Sequence, residues 1–258
     1  MVMAGALTVL AAFVQPARLP ILAIMVLGFA LLWRRGSPIA IALAAPLPIL
    51  ATFAWGVTVS PLAEAGPFAC ESPFSAPAVA RLAEAFGGLV LVLGLGRLIG
   101  VGRAEIGLRW PSMAVGALSV GLVVVLGPLA VLSFRSLAAP FFGALDYAFA
   151  LPAVLVPAMV FALANGVLEE LVYRGAMLGW TARLVGFWPA AIAQAVIFGA
   201  AHSGPGFAGS SVPVVVAMGV AGLLAAIVVR RTGSLLPIIA IHVALDVPLY
   251  LAIACRIT

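Results

Sequence analysis

Three clusters of polar side chains interrupt the apolar sequence, and their residue types are those used in hydrolysis. The first is Glu169-Glu170-Leu171-Val172-Tyr173-Arg174, the second is Phe198-Gly199-Ala200-Ala201-His202, and the third is His242-Val243-Ala244-Leu245-Asp246. Together they hold both histidines and three of the eight acidic residues of the chain. Hydrolysis needs a base that activates water, a group that orients the water, and donors for the oxyanion. The three clusters supply such a set.

The two adjacent glutamates have different predicted roles. Glu170 and Arg174 are four residues apart with the acid first, so on a helix they share a face and form an ion pair. Glu169 lies about 100° around the helix axis and has no partner at that spacing. Pairing only one of two adjacent carboxylates leaves the other less stabilised as an anion, so Glu169 is the predicted general base. The alternative is that both glutamates form a capping or solvated turn at a cytoplasmic interface.

The two histidines occur in different contexts. His202 ends an apolar run and is followed by a glycine-rich loop. The simplest interpretation of a lone histidine at such a position is a structural role. His242 and Asp246 are four residues apart and form one polar stripe on an otherwise apolar helix, where each could orient the other or face a shared polar cavity. The alternative for this pair is a satisfied hydrogen bond between helices. Inserting an ionisable side chain into the middle of a membrane costs about 2.5–3.5 kcal/mol of free energy. Each such residue is therefore expected to have a partner or a function.

The composition places these clusters in a membrane protein. Of the 258 residues, 65% are hydrophobic and only 8% are charged, whereas ordinary soluble domains have about 25% charged residues. The mean hydropathy is +1.29. These values exclude a disordered protein, a disulfide scaffold and a coiled coil. The sequence pI of about 10.2 does not indicate nucleic-acid binding, because the 13 basic residues, all of them arginine, are scattered at the ends of apolar runs.

We therefore predict an all-α, polytopic transmembrane bundle of about eight spans. The predicted spans are 19–33, 39–59, 86–101, 113–134, 147–168 (continuing as helix to about residue 183), 187–201, 212–229 and 235–254. Residues 1–15 are a ninth crossing, an interfacial helix or a signal-like start; they lack a basic n-region and a cleavage pattern, so we keep them in the mature chain. Residues 1–110 are predicted to form N-terminal membrane helices and 111–258 a catalytic core, within a single membrane domain.

The arginines predict the orientation through the positive-inside rule. Nine of them fall on one side, which is then cytoplasmic: Arg34, Arg35, Arg97, Arg103, Arg109, Arg174, Arg183, Arg230 and Arg231. Four fall on the other side: Arg18, Arg81, Arg135 and Arg256. The long loop 60–85, with Glu64, Cys70, Glu71 and Glu84, then lies outside. Cys70 and Cys255 share that side, but two cysteines alone carry little information, and we expect two unpaired thiols rather than a disulfide.

The ordered trio of motifs resembles the CPBP family (CAAX protease and bacteriocin-processing, or Abi), which contains the type II CAAX prenyl endopeptidases. The matching patterns are Glu-Glu-x-x-x-Arg, Phe-x-x-x-His and His-x-x-x-Asn/Asp, over about 151–251, and 106–111 is similar to a segment that many members carry before the core. The resemblance implies an intramembrane endopeptidase that acts on a membrane-associated protein or peptide. It implies that Glu169 and His202 activate water and that His242 and Asp246 support the oxyanion. Glu170, Arg174 and Phe198 would support this arrangement.

Some alternatives stay open at this point. The resemblance favours a metal-free glutamate mechanism without a cofactor, although the same ligand types could bind Zn²⁺, and Asp246 stands where the CAAX branch usually has Asn. The non-enzymatic alternatives are an immunity or scaffold protein and a proton-coupled transporter that uses the same polar residues. We expect a multi-pass protein of the bacterial plasma membrane whose partners are the bilayer and a membrane protein or peptide. Glu169 is expected near the cytoplasmic end of its helix, so that water and substrate reach it from that side or laterally.

Overall fold

The computed structural model describes residues 2–58, 70–72, 75–136, 139, 149–203 and 212–255. The predictions that concern Glu64, Arg256, the glycine-rich loop after His202 and the first residues of the span 147–168 lie outside the described residues.

Every regular element in the described ranges is a helix, which confirms the predicted all-α class. The helices are α1 (Val2–Phe13), α2 (Arg18–Arg34), α3 (Ala40–Ala44), α4 (Leu47–Thr58), α5 (Ala76–Leu98), α6 (Met113–Leu132), α7 (Leu151–Glu169), α8 (Gly179–Val185), α9 (Phe187–Ala201), α10 (Val212–Thr232) and α11 (Leu236–Ala254). A 3₁₀ turn, Gln15–Ala17, connects α1 to α2, and a π-helical segment, Glu170–Leu178, connects α7 to α8.

Within the described ranges, five helical stretches are long and apolar enough to cross a membrane: Gln15–Arg34, Ala76–Leu98, Met113–Leu132, Leu151–Val185 and Val212–Thr232. The chain is accordingly a multi-pass integral membrane protein. The remaining apolar helices are shorter.

The predicted span 39–59 is interrupted between α3 and α4 at Pro46, which has no backbone N–H to continue the helical hydrogen bonds. With 15 residues, α9 is shorter than the roughly 17–25 residues that usually span a bilayer. The count of eight crossings therefore stays a prediction. Helix α1 packs against α2 and α9, so the N-terminal residues belong to the bundle.

Helix α7 and its π-helical continuation lie at the centre of the bundle. α7 packs against α5 and α11, α11 also packs against α6, and α9 packs against α10. Two glycines permit close helix approach. A Cβ atom on Gly166 would lie 3.3 Å from the Val243 side chain and 3.5 Å from His242 Cβ, and one on Gly199 would lie 2.6 Å from the Val215 carbonyl oxygen. These contacts bring α11 against α7, and α10 against α9.

One end of the bundle, which we call the arginine end, gathers the polar ends of several helices. Trp33 Nε1 donates to the Leu98 carbonyl, which joins the ends of α2 and α5. Ser234 Oγ donates to the Arg109 carbonyl, so the loop after α5 meets the turn between α10 and α11. Arg183 lies 3.7 Å from Glu105. Arg109 and Arg183, two of the nine arginines predicted on one side, take part in these contacts, and the side of the membrane stays a prediction.

The opposite end, which we call the disulfide end, is joined by Cys70 and Cys255, whose sulfur atoms are bonded at 1.96 Å. The expectation of two unpaired thiols is wrong. Tyr250 Oη donates to the Cys70 carbonyl and lies 2.6 Å from Ser75 Oγ, and Glu71 accepts from the Ala150 N–H. The segment around Cys70 therefore contacts the first turn of α7, the start of α5 and the end of α11.

Helix α5 begins ten residues earlier than the predicted span 86–101. Pro77 occupies its first turn, a position where the missing N–H costs nothing. Arg81 and Glu84 form an ion pair at 2.7 Å within the helix, so these two charges do not end it. The prediction that Glu84 and Arg81 belong to the outside loop is therefore wrong, because both lie on a helix of the bundle.

Candidate active site

Glu170 and Arg174 form the predicted ion pair in the interior of the bundle. Arg174 Nη1 lies 3.1 Å from Glu170 Oε1, and both side chains are only 2% exposed. Their backbone is π-helical rather than α-helical, a form that occurs often at functional sites. The assignment of Arg174 to the cytoplasmic side is wrong, because this arginine neutralises a buried carboxylate instead of marking a helix end.

His242 lies among three carboxylates. Its Nδ1 is 2.9 Å from Glu170 Oε1, while its Nε2 is 3.5 Å from Asp246 Oδ2 and 3.7 Å from Glu169 Oε2. A carboxylate accepts hydrogen bonds, so Nδ1 donates its proton to Glu170. In a neutral ring the lone pair of Nε2 would then face the carboxylates of Glu169 and Asp246, which is repulsive. A further proton shared by Nε2, Glu169 and Asp246 would relieve this repulsion, and such a proton suits a group that exchanges protons.

Asp246 is held by a residue that the sequence analysis missed. Asn165 Nδ2 donates to Asp246 Oδ2 at 2.7 Å, and both side chains are buried. Asn165 precedes Glu169 by four residues, so the two share a face of α7. A polar amide at that spacing in an otherwise apolar helix is the signal that could have identified it.

His202 lies at the C-terminal end of α9, and Phe198 orients it in two ways. His202 Nδ1 donates to the Phe198 carbonyl at 2.7 Å, and the two ring centroids are 4.6 Å apart. In a neutral ring this hydrogen bond leaves the lone pair on Nε2. The Phe198 ring also stacks on Arg174, whose Cζ lies 4.2 Å from its centroid. The phenylalanine of the second motif therefore links the first motif to the histidine.

Glu169 differs from Glu170 in accessibility. The Glu169 side chain is 18% exposed, against 2% for Glu170. Among the described residues, Glu169 Oε2 has no hydrogen-bond partner. Glu169 is the nineteenth of the 35 residues in the continuous helical stretch Leu151–Val185. Glu169 is the last residue of α7, and the helical stretch continues through the π-helical segment and α8 as predicted, so its place near the cytoplasmic end stays a prediction.

The motif side chains line one cavity of about 350 Å³. The motif side chains that line it are Glu169, Glu170, Arg174, Phe198, His202, His242 and Asp246, and Asn165 lies beside them. Arg81 of α5 also lines it, which the sequence analysis missed because it used this arginine only as an orientation marker. The remaining wall is largely apolar and comes from α10 and α11. The structure therefore brings all the predicted site residues together around one space.

Within the described part of the chain, no three His, Cys, Asp or Glu side chains are arranged to hold a metal ion. Glu169, Glu170 and Asp246 approach His242, but Glu170 is paired with Arg174 and Asp246 with Asn165. Glu170 Oε1 and Asp246 Oδ2 are thus directed at other partners, whereas Glu169 Oε2 has no hydrogen-bond partner among the described residues. The zinc alternative stays open.

A comparison with protein families matches residues 151–248 to a family described as type II CAAX prenyl endopeptidase Rce1-like. The matched segment contains all three motifs and confirms the resemblance that they indicate. No curated protein and no solved structure gives a significant match to the chain.

Proposed function

Because residues 151–248 belong to the type II CAAX prenyl endopeptidase family, a family of intramembrane proteases, we propose that this chain hydrolyses a peptide bond of a membrane-associated protein or peptide. Glu169 acts as the general base, with His202 orienting the water. His242 and Asp246 support the oxyanion, and Glu170, Arg174 and Phe198 hold the arrangement.

The observation that carries this proposal is the different environment of the two adjacent glutamates. Glu170 is sequestered by Arg174 at 3.1 Å and by His242 at 2.9 Å, so it is held as a structural anion. Both glutamates line the cavity, and each has an Oε2 atom without a hydrogen-bond partner among the described residues, but the Glu169 side chain is 18% exposed and that of Glu170 only 2%. A carboxylate with an unused acceptor at a cavity is suited to take a proton from water.

In the proposed reaction, a water molecule in the cavity donates a proton to Glu169 while its oxygen attacks the scissile carbonyl carbon. His202 accepts a hydrogen bond from the same water through Nε2, because its Nδ1 is committed to the Phe198 carbonyl. The proton held by His242 faces the developing oxyanion. Glu169 then returns its proton to the departing amine as the C–N bond breaks, so the products are a carboxylic acid and an amine.

The apolar wall supports a substrate that arrives through the bilayer. Met218 and Ala221 of α10 face the cavity together with Ile241 and Leu245 of α11. Ala221 and Leu245 are exposed on the surface of the bundle, where lipid would contact them. An apolar segment could thus pass from the lipid into the cavity between α10 and α11, beside the polar cluster.

A comparison of membrane proteins from cells with wild-type protein and with Glu169→Gln tests this function. Mass spectrometry of peptide termini should find a set of new termini with the wild-type protein only, and the intact precursors should accumulate in the variant. Arg34→Gln, at the arginine end and away from the cavity, is the matched control. Identical termini in all three strains would contradict the proposal, as would a proton flux that depends on Glu169 in the absence of cleavage.

A further inference from the structure

We propose that the arginine end binds an anionic phospholipid, which places its phosphate group on Arg97 and Arg103 and an acyl chain beside Gly94. The three residues line a cavity that shares no residue with the candidate active site, so the inference does not depend on the proposed protease function.

This second cavity, of about 380 Å³, follows the last turns of α5 and the loop after them. We call it the α5 cavity. Val92, Leu93 and Gly94 form an apolar part of its wall on α5, and Arg97 and Arg103 line the same space at the end of the helix. Among the described residues, no acidic side chain lines it. A ligand with an apolar chain and an anionic group matches this division of the wall.

The two arginines have unused donors. Both side chains are exposed, and within the described part of the chain neither makes a hydrogen bond, an ion pair or a cation–π contact. Glu105 does not neutralise them, because its Oε2 accepts from the Gly102 N–H at 2.7 Å and its Oε1 lies 3.7 Å from Arg183. Two free guanidinium groups at one cavity are suited to bind a phosphate through charge-assisted hydrogen bonds.

The end of α5 explains only one of these two cations. Arg97 lies in the last turn of the helix, where the helix dipole favours a positive charge. Arg103 lies beyond the end of the helix at Leu98, so the dipole does not account for its place at the cavity. A ligand with a negative charge accounts for both arginines.

The α5 cavity lies at the level where lipid headgroups are expected. Helix α5 is long and apolar enough to cross a membrane. At its end the exposed Trp33 donates from Nε1 to the Leu98 carbonyl at 3.1 Å, and tryptophan is enriched at the membrane interface. The predicted cytoplasmic side of this end is where anionic lipids give the membrane its negative surface potential. A free phosphate ion would use the arginines alone, whereas the apolar wall beside them fits the chain of a lipid.

The loop that lines the α5 cavity packs on the π-helical segment. Ile106 lines the cavity and is buried. A Cβ atom on Gly175 would lie 3.3 Å from the Ile106 carbonyl oxygen, and one on Gly179 would lie 3.1 Å from the Glu105 carbonyl oxygen. A lipid in the cavity needs this packing and therefore binds the folded bundle only, so it should also raise the melting temperature.

The test compares dioleoyl phosphatidylglycerol, which is anionic, with dioleoyl phosphatidylcholine, which has the same chains and no net charge. Native mass spectrometry of the full-length protein in detergent measures the binding of each lipid. Phosphatidylglycerol should bind about tenfold more tightly or better, because each arginine near the membrane surface attracts an anionic lipid. Replacing Arg97 and Arg103 together by glutamine should abolish this preference.

Two further variants separate the site from the general charge of the arginine end. Arg34→Gln with Arg35→Gln is the matched control, since it removes the same charge at the end of α2 without lining the α5 cavity, and it should keep the preference. Gly94→Phe fills the apolar part and leaves both arginines in place. A Cβ atom on Gly94 meets no atom within 4 Å, so the larger side chain has room. This variant should weaken the binding of phosphatidylglycerol about tenfold.

The comparison of the two lipids needs no substitution, so it holds even if a variant folds poorly. Equal binding of the two lipids, or binding of neither, would overturn the inference. An equal loss of preference in both arginine double variants would do the same, because it would show attraction to overall charge. Inorganic phosphate is the probe without a chain: displacement of the lipid at equal concentration, with unchanged binding in Gly94→Phe, would identify a free phosphate site and refute the lipid.

Discussion

His242 Nδ1 lies 2.9 Å from Glu170 Oε1, and the two residues are separated by 72 positions in the sequence. This contact joins the first motif to the third, because α7 continues into the π-helical segment that carries Glu170 while His242 lies on α11. The same carboxylate oxygen also faces Arg174. Glu170 therefore connects the first and third motifs, and Glu169 is the more accessible of the two glutamates that line the cavity.

The first prediction concerns stability. Glu170→Gln should lower the melting temperature of the purified protein in detergent, because it leaves the Arg174 guanidinium buried without its counter-ion, a change that costs about 3–5 kcal/mol in other buried pairs. Glu169→Gln is the matched control and should melt near the wild type, since Glu169 approaches His242 only at 3.7 Å. Melting measured by intrinsic fluorescence checks this. Equal melting of the two variants would contradict the division of roles.

The second prediction concerns Asn165. Asn165→Leu removes the donor to Asp246 Oδ2 and leaves a buried carboxylate without that hydrogen bond. We expect the cleavage rate to fall about tenfold or more with a smaller change in KM, since a hydrogen bond to a charged group contributes roughly 1.5–3 kcal/mol. Asp246→Asn, which keeps an oxygen that can accept from Asn165, should retain more activity than Asp246→Leu. A wild-type rate in Asn165→Leu would show that the contact has no role in the reaction.

The third prediction concerns the disulfide end. Replacing Cys70 and Cys255 together by serine, or reducing the wild-type protein, should lower the melting temperature because the bond closes a loop of 185 positions. Disulfides typically contribute about 2–4 kcal/mol. The reductant should have no effect on the double variant, which controls for its action elsewhere. An unchanged melting temperature in both cases would mean that Cys70 and Cys255 are unbonded or that their bond does not stabilise the bundle.

The fourth prediction concerns metal ions. Protein purified without added metal should contain less than stoichiometric zinc, and cleavage should persist in a chelator, because Glu170 is already paired with Arg174 and Asp246 with Asn165. Elemental analysis and a chelator titration of the cleavage rate provide the measurements. Stoichiometric zinc together with chelator-sensitive cleavage that zinc restores would refute a metal-free mechanism.

The sequence predicted the contacts that are local to one helix. Glu170 with Arg174 and His242 with Asp246 are four residues apart, so helical geometry alone brings each pair together. The contacts of Asn165 with Asp246, of His242 with Glu170 and of Cys70 with Cys255 depend on how distant helices pack, which no periodicity encodes. The start of α5 was missed because Arg81 and Glu84 resembled loop charges, although their mutual ion pair allows the helix to continue.

The central claim is that Glu169 is the base, and its most direct test is the rate at which purified Glu169→Gln protein cleaves a probe, a synthetic peptide that spans a cut site found in the comparison of membrane proteins. The rate should fall about 10²–10⁴-fold, while the melting temperature and the affinity for the probe stay close to those of the wild type. Cleavage within tenfold of the wild-type rate by a folded Glu169→Gln protein would contradict the account.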